Sequence, residues 1–538
     1  MQVIITDMRG TGVRRATPNT GSHENMEMIK AWIKHCNDEH PHCKISVQET
    51  ARLPTRLLQI EKSGKSFKVK LCLSSALSPS TSYATLSHAW GSGSPMKLIN
   101  KNVLRCQQDI PMASLPQTFA DAVQLTNTLG LSYLWIDSLC IIQDSTLDWE
   151  VESTTMCNVY SGSTINIVAS ASVDCDGGLF RQRNPLSVTP CTVDLSFLNE
   201  AGAREGGPYA LSRGTYWESD RLLADEPLGR RAWAVQERIL APRSLYFAAE
   251  KVYFGCCEKI TSDTHPSFLE ENQLWGAFMN TWATNRPAFA TSASELQLCS
   301  LKWQSVVQQY THAQLSYESD KLVAIAGLAE YMQRTWLGPT ITYMAGLWSL
   351  QLIDGLMWRG ESLHATGESL LTRPKAYRAP TWSWASVEGK VKWQSDEEHM
   401  GFPDQFYGAS IVEARTSPTS SPFGSVHGGY IQIRGHFCTW RDVAAVDPDW
   451  DVVNVDGRED REHILAESDG LMLFILRVEE NVEGLVLEYT GDKKGQYKRV
   501  GVFEDFEGYV LPASRSFRPA EHLFMEVNGN NEYTIEII

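Results

Sequence analysis

Three apolar runs of the chain end on polar residues, and these residues have side chains that could do chemistry. Ser87 and His88 close the first run, Asp137 the second and Ser170 the third. A histidine beside a carboxylate can move protons to and from a small organic substrate. In open parallel sheets the functional crevice lies at the carboxyl ends of the strands, so we expect these side chains to share one site.

The elements that must position these residues alternate between apolar runs of strand length and helical patterns. Such alternation is typical of a parallel sheet covered by helices, and the fold class that it predicts is α/β. The helical patterns carry boundary signals of their own, such as Pro116 in a first turn and Ser145 three residues before Asp148. The predicted order is strand 83–91, helix 115–130, strand 133–137, helix 145–160 and strand 165–170.

A second carboxylate comes from a helix that the apolar pattern predicts over residues 228 to 240. Trp233 and Glu237 are one turn apart on this helix, so their side chains lie next to each other. We expect Glu237 to converge with the polar side chains of the strand ends on one pocket. The alternative is a structural ion pair of Glu237 with a base such as Arg231.

Weaker signals lie close to the same strand ends. Cys140 and His88 are a candidate nucleophile pair, although one cysteine and one histidine often coincide by chance. Trp90 and Gly91 begin a Trp-Gly-Ser-Gly-Ser sequence, and glycines after a strand can bring backbone N–H groups close to a phosphate. The alternative for residues 90 to 95 is a plain flexible turn, because the full dinucleotide and Walker patterns are lacking.

Residues 35 to 43 read HCNDEHPHC and place three histidines and two cysteines close together. Thiolate and imidazole groups are zinc ligands, so a zinc site is one interpretation. The spacing matches no standard zinc finger, and we favour a Cys/His-rich helix end without a metal. No residue is therefore assigned as a metal ligand.

Charge and composition limit the class of protein. The chain has 538 residues and a net charge of −16, from 48 basic and 64 acidic residues, which disfavours nonspecific nucleic-acid binding. The first ten residues lack the apolar core of a secretory signal, and no run approaches the length of a membrane span. We therefore expect a cytoplasmic protein whose twelve cysteines are thiols.

The whole chain predicts four parts. An N-terminal arm with a helix and a hairpin occupies residues 1–80, and the α/β domain with inserted segments occupies 81–255. Residues 256–400 are rich in Trp and carry helical patterns, including one over 344–358, so we expect a helical layer there. Alternating runs with turn-rich gaps predict a β-rich, mostly antiparallel module over 401–538.

Several motifs of the chain follow one another in a fixed order. They are YATLSHAWG at 83–91, LPQTF at 115–119, YLWIDSLCIIQD at 133–144, DWEVE at 148–152 and RAWAVQE at 231–237. In this order they resemble the fungal heterokaryon incompatibility (HET) domain. The resemblance is strong from residue 80 to residue 255 and extends loosely over most of the chain.

This resemblance implies self/non-self recognition and regulated cell death. HET domains are also likened to TIR domains, some of which hydrolyse NAD, and a TIR-like core is the finer fold that the likeness implies. In TIR enzymes a helix carries a Trp and, four residues later, a catalytic Glu; Trp233 and Glu237 match that spacing. Glu237 would then be the catalytic carboxylate, with Trp233 against the leaving base and Ser87, Trp90 and Gly91 on the other wall.

Three functions remain open. The first is a TIR-like enzyme that cleaves or binds NAD, with the Glu237 carboxylate close to the ribose. The second is a signalling module without catalysis that self-associates through Trp-rich faces. The third is a biosynthetic enzyme of secondary metabolism that uses His88 and Asp137 as an acid/base pair on a small organic substrate. Of these three functions, only the first involves a cofactor molecule, NAD, and there NAD would be the substrate.

Overall fold

Two compact units, Met1–Pro287 and Ala288–Ile538, divide the chain, and each has its own large sheet. The division into four parts stays a prediction. The structure is a computed structural model that describes residues 3–7, 14–41, 43, 52–64, 66–91, 96–198, 204–213, 225–264, 289–361, 371–393, 407–444, 453–456, 471–478, 481–505 and 508–538.

In the first unit, the described residues form one eight-stranded and one three-stranded sheet. The strands are β1 Val3–Asp7, β2 Arg56–Ser63, β3 Ser66–Leu73, β4 Ala84–Ser87, β5 Tyr133–Trp135, β6 Ile165–Val168, β7 Cys191–Leu198, β8 Arg204–Arg213, β9 Arg243–Phe247, β10 Val252–Cys256 and β11 Ile260–Ser262. The large sheet has the order β11-β10-β9-β6-β4-β5-β2-β3, and the small one has the order β1-β8-β7.

The large sheet is parallel at its centre and antiparallel at both margins. Parallel pairing joins β5, β4, β6 and β9, as the alternation of strands and helices predicts. Antiparallel pairing joins β5 to β2 and β2 to β3 on one side, and β9 to β10 and β10 to β11 on the other. The parallel pairing predicted for residues 83–250 thus holds for these four central strands, while the margin strands lie outside that range and make the whole sheet mixed. The links from β2 to β3 and from β9 to β10 are too short for the crossover that a parallel pair requires.

The helices of the first unit begin close to where the sequence signals them. The side chain of Ser145 caps its helix by accepting a hydrogen bond from the backbone N–H of Asp148 at 3.2 Å. The last helix begins at Ala232 rather than at residue 228, because residues 227 to 230 form turns. The bounds are α1 His23–Glu39, α2 Val103–Gln108, α3 Gln117–Thr128, α4 Asp137–Cys140, α5 Thr146–Ser161, α6 Pro185–Val188 and α7 Ala232–Leu240.

The second unit combines helices with many short and long strands. Its described helices are α8 Ala293–Thr311, α9 Val323–Met332, α10 Leu352–Gly355, α11 Trp440–Ala444 and α12 Val510–Ser516. Its described strands are β12 Tyr343–Met344, β13 Leu347–Trp348, β14 Arg359–Gly360, β15 Val391–Lys392, β16 Ala409–Pro418, β17 Val426–Gly435, β18 Phe437–Thr439, β19 Val453–Val455, β20 Leu471–Val478, β21 Val482–Tyr489, β22 Gln496–Asp505, β23 Glu526–Val527 and β24 Tyr533–Ile537.

The helix predicted over residues 344 to 358 was wrong. β12 and β13 form a hairpin there, and only the short helix α10 follows. The two loop residues Ala345 and Gly346 have φ angles of 45° and 101°. Positive φ at both central positions is the type I′ turn that two-residue hairpins favour. This turn interrupts the apolar pattern that had suggested one long helix.

The C-terminal part of the second unit is rich in β structure, as predicted. Nine described strands form one sheet in which neighbouring strands are antiparallel, apart from the parallel pair β22 and β24. The fold class is thus α/β, with a mixed sheet in the first unit and a β-rich C-terminal region. No helix in the described part of the chain is long and apolar enough to cross a membrane.

Candidate active site

Two of the expected site residues lie at neighbouring strand ends. Ser87 is the last residue of β4, and Asp137 follows β5. β4 pairs in parallel with both β5 and β6, and Ser87 is in register with Val168 at the end of β6. Both side chains therefore come from the carboxyl ends of parallel strands, where open sheets bind ligands.

Asp137 connects three neighbouring groups. Its Oδ2 accepts a hydrogen bond from Nε1 of Trp90 at 2.7 Å, and its Oδ1 accepts one from the backbone N–H of Ser138 at 2.6 Å. The same Oδ1 lies 3.7 Å from Nδ1 of His88. The Asp137 side chain keeps 28% exposure. It therefore accepts a hydrogen bond within the first turn of α4 and still presents a carboxylate to solvent.

The His88 side chain is buried among aromatic rings. It is 1% exposed, the Phe119 ring meets it edge-on at 4.8 Å, and the Trp90 ring stacks parallel to it at 6.5 Å. Burial lowers the pKa of His88, while the charge of Asp137 acts in the opposite direction. An imidazole that is buried and neutral has little access to a substrate, which argues against His88 as an acid/base group.

Glu237 lies on α7, which packs against α5. The hydroxyl groups of Ser87 and Tyr160 lie near its carboxylate and favour the charged form. Burial raises the pKa of Glu237 to about 7; the charge of Asp137 acts in the same direction, while the two hydroxyls and Arg231 oppose it. A carboxyl group with a pKa near 7 can hold or release a proton at neutral pH.

Ser87 is oriented by a buried amide on the neighbouring strand. Asn166 of β6 is 0% exposed, and its Nδ2 donates to Oγ of Ser87 at 3.0 Å. Its Oδ1 accepts from Oγ1 of Thr85 at 3.1 Å. Oγ of Ser87 also donates to Oδ1 of Asn166 at 3.1 Å, so the buried amide fixes the position of the serine hydroxyl.

Asn166 and Tyr160 also belong to this site, although neither was predicted from the sequence. A signal for Asn166 was present, since it is the one polar residue within the buried run of β6. Tyr160 belongs to the buried face of α5, and helical spacing alone does not distinguish it from an ordinary core residue.

Arg231 has a backbone partner close to the site. Its NH1 group donates to the carbonyl oxygen of His88 at 2.6 Å. The charge of Arg231 also acts on Glu237 and lowers the pKa of its carboxyl group. The guanidinium therefore helps to hold the end of β4 and adds positive charge to its surroundings.

A narrow cleft opens beside Ser87, between strand ends and the start of α7. Ser170 lies in its wall and is 2% exposed, and its hydroxyl has no hydrogen-bond partner among the described residues. A ligand in this cleft could supply the missing partner of the Ser170 hydroxyl. Its wall consists of Ser87, Asn166, Val168, Ser170, Leu228, Gly229, Ala234, Val235, Arg238 and Tyr246.

Trp90 and Gly91 each make a close contact that involves the side chain of another residue. The Trp90 side chain is partly buried, and Nζ of Lys97 lies 4.8 Å from the centroid of its ring. Gly91 has a φ angle of +70°, and a Cβ atom there would lie 2.3 Å from Cβ of Asp174. Glycine is thus required by close approach at residue 91. The turn after it, which was interpreted as either a plain flexible turn or a phosphate-binding turn, falls on residues 92 to 95, outside the described residues.

Trp233 and Cys140 complete the expected set. Trp233 is partly buried and lies one turn before Glu237 on α7. Cys140 is 1% exposed at the end of α4, and burial raises the pKa of its thiol far above the ordinary value. A thiol that stays protonated is a poor nucleophile. This environment argues against the pair of Cys140 and His88.

Glu152 of α5 is a buried carboxylate in the same unit that pairs with an arginine, and its surroundings can be compared with those of Glu237. It is 2% exposed, and its Oε1 lies 3.6 Å from NH1 of Arg56. Arg56 also binds Asp148, with NH2 2.5 Å from Oδ1. Glu152 therefore has a buried base, Arg56, beside it; as at Glu237, burial raises the pKa of the carboxyl group and a hydroxyl, here that of Thr55, acts in the opposite direction.

A family model matches the part of the chain that contains this site. Residues 83–237 match the family model described as Heterokaryon incompatibility protein (HET). This stretch is a HET domain. It contains Ser87, Asp137, Tyr160 and Glu237, and it supports a function of the heterokaryon-incompatibility type. Neither a curated protein nor a solved structure matches the chain, and the likeness of the HET domain to TIR domains stays a prediction.

The HET domain thus has two carboxylates with different surroundings. The hydroxyls of Ser87 and Tyr160 lie near Glu237, while N–H groups donate hydrogen bonds to Asp137. Such a pair can stabilise a positive charge on a sugar ring and take a proton from water.

Proposed function

We propose that the HET domain hydrolyses the N-glycosidic bond of NAD, with Glu237 as the catalytic carboxylate, in a function of the heterokaryon-incompatibility type. The observation that carries the proposal is the buried Glu237 carboxyl, which lies close to the hydroxyls of Ser87 and Tyr160 beside the carboxyl ends of parallel strands. A carboxyl group with a strongly raised pKa is a candidate for catalysis, and its neighbour Ser87 lines the cleft.

The proposed reaction breaks the bond between C1′ of the ribose and the nicotinamide nitrogen. Nicotinamide leaves with the bonding electron pair as a neutral molecule, and positive charge develops on the ribose. The ionised carboxylate of Glu237 stabilises that charge. Water then bonds to C1′ and passes a proton to Glu237, which yields ADP-ribose.

The surroundings of Glu237 also suit an anionic dinucleotide. Lys97 lies over the ring of Trp90, and Arg231 binds the carbonyl of His88, so two cations flank the two carboxylates. The diphosphate of NAD carries negative charge, and nearby cations raise the local concentration of such a substrate. Trp233, one turn before Glu237, is the aromatic residue proposed to contact the nicotinamide ring.

Incubation of the purified full chain with NAD tests the proposal. Nicotinamide and ADP-ribose are quantified by chromatography for wild type, Glu237→Gln and Glu152→Gln, and each melting temperature is recorded. Gln keeps the shape of the side chain and removes its charge, so we expect Glu237→Gln to slow nicotinamide release by about 10² to 10³ while the protein stays folded.

Glu152→Gln is the matched control, because it removes a carboxylate from the same unit whose partner is Arg56. We expect it to lower the melting temperature and to keep the rate of nicotinamide release within about threefold, since a structural ion pair contributes to stability rather than to the reaction. Folded wild-type protein that releases no nicotinamide would contradict the proposal. Equal rates for wild type and Glu237→Gln would also contradict it.

A further inference from the structure

A second cluster of chemically active side chains lies away from the Glu237 site. Cys36, His40, Cys43 and Cys256 each offer one ligand atom, and these four atoms lie within 4.8 Å of one another. Cys36, His40 and Cys43 are buried, and Cys256 is partly buried. The interpretation as a plain helix end took account of residues 35 to 43 alone, whereas the fold supplies a fourth ligand.

Two elements bring the four side chains together. Cys36 is in the last turn of α1, and the backbone N–H of His40 donates to the carbonyl of Cys36 at 3.2 Å as the helix ends. Cys256 is the last residue of β10. The rings of Trp32 on α1 and Phe254 on β10 stack at 6.1 Å, which holds the helix against the strand. The cluster is thus built by packing and not by sequence spacing alone.

The separations suit a tetrahedral metal centre. Zinc lies about 2.3 Å from sulfur and about 2.0–2.1 Å from nitrogen, so tetrahedral ligand atoms are roughly 3.5 to 3.8 Å apart. Sγ of Cys256 lies 3.3 Å from Nδ1 of His40, and the whole set stays within 4.8 Å. Shifts of a fraction of an ångström would complete the geometry.

A buried base balances the charge of such a centre. Three thiolates and one imidazole around a divalent cation carry a net charge of −1. Arg243 is 3% exposed; its Nε donates to Sγ of Cys36 at 3.2 Å, and its NH2 donates to the carbonyl of Cys43 at 3.2 Å. A hydrogen bond to a ligand sulfur orients and stabilises the thiolate. A buried guanidinium at this position is therefore explained by a negatively charged cluster beside it.

We propose that Cys36, His40, Cys43 and Cys256 bind one zinc ion. Thiolate and imidazole ligands select zinc over magnesium or calcium, and a set of four protein ligands leaves no position open for a substrate. The ion is therefore structural. Its ligands lie on both sides of residues 83–237 in the sequence, so zinc joins the segment before the HET domain to the strand after it. The proposal is independent of NAD cleavage.

Metal analysis of the full chain, purified without chelator, tests this site. We expect about one zinc per chain in wild type, and less than about 0.1 in Cys43→Ser and in Cys256→Ser. Cys106→Ser is the matched control, because Cys106 is a buried cysteine of the same unit outside the cluster; it should keep about one zinc.

X-ray absorption at the zinc edge of wild-type protein keeps the test valid if a variant fails to fold. We expect three sulfur ligands at about 2.3 Å and one nitrogen ligand at about 2.0 Å. Folded wild-type protein that contains no zinc and takes up none on addition would overturn the proposal. Three other results would also overturn it: iron bound in place of zinc, a disulfide within the cluster, or zinc that both serine variants retain.

Discussion

The carboxyl group of Glu237 is the single group on which the proposed function depends. Burial makes its charged form costly, and the nearby hydroxyls of Ser87 and Tyr160 offset part of that cost. The result is a pKa of about 7. Because protonation in the folded protein then occurs near neutral pH, the group affects both the stability of the HET domain and the rate of any reaction in which it takes part.

Glu237→Gln should change the pH dependence of stability. Between the ordinary value of 4.5 and a pKa of about 7, the folded protein holds a proton that the unfolded chain has released. The free energy of unfolding of wild type therefore falls as pH rises through this window, whereas Gln has no proton to lose. We expect the stability of the variant relative to wild type to increase by about 1 to 3 kcal/mol between pH 4.5 and pH 8.

Urea unfolding at a series of pH values measures this difference. Glu250→Gln, at an exposed position, is the control, and its stability relative to wild type should stay constant over the same range. A difference between Glu237→Gln and wild type that does not change with pH would show that Glu237 has an ordinary pKa. The description of its environment would then be wrong.

Single residues of the site differ in how far the sequence could predict them. Glu237 and Asp137 stood out because a carboxylate at a helical spacing or after a buried strand has a limited number of roles. Tyr160 and Asn166 did not stand out, because their contacts with Glu237 and Ser87 depend on how α5 and β6 pack in space. Local patterns carry no information on such contacts.

At the scale of elements, capping residues predicted helix starts correctly, whereas a long apolar pattern predicted a helix where the structure has a hairpin. Ser145 caps α5 as its spacing indicates. Residues 344 to 358 looked helical, yet Ala345 and Gly346 turn the chain within two residues. The aromatic residues on both sides of this turn fit a buried hairpin as well as a buried helix, and periodicity cannot separate the two over short distances.

Gly346→Ala should destabilise the second unit. A Cβ atom at residue 346 would lie 2.6 Å from Nε1 of Trp384, and the φ angle of +101° disfavours any side chain. The carbonyl of Gly346 also accepts hydrogen bonds from Trp303 and Trp384, both at 2.8 Å, so the turn cannot move freely. We expect a loss of about 2 to 4 kcal/mol in the free energy of unfolding.

Thermal and urea unfolding of the purified variant measure this loss. Gly355→Ala is the matched control, because residue 355 lies in α10 and the nearest atom to its added Cβ is 3.6 Å away. The control should stay within about 1 kcal/mol of wild type, since alanine favours a helix over glycine. Equal stability of the two variants would mean that the turn at 345 and 346 is not packed as described.

At the scale of the whole molecule, the fold class and the β-rich end could be predicted, and the long-range connections could not. Strand alternation predicted the parallel strands β4, β5 and β6 but not the order of the strands at the margins, which depends on which neighbouring strand each short link reaches. The proposed zinc cluster likewise depends on a contact between residues that are far apart in the sequence. Cys36, His40 and Cys43 are visible as a group in the sequence, whereas Cys256 joins them only through the packing of α1 on β10.

The pH dependence of nicotinamide release by the full chain tests the role of Glu237 most directly. With the ionised carboxylate as the reacting form and a pKa of about 7, the rate should rise about tenfold per pH unit below 7 and level off above it. Glu237→Gln should show a low rate without that rise. A wild-type rate that is constant from pH 5 to 9, or a profile that Glu237→Gln retains, would contradict catalysis by Glu237.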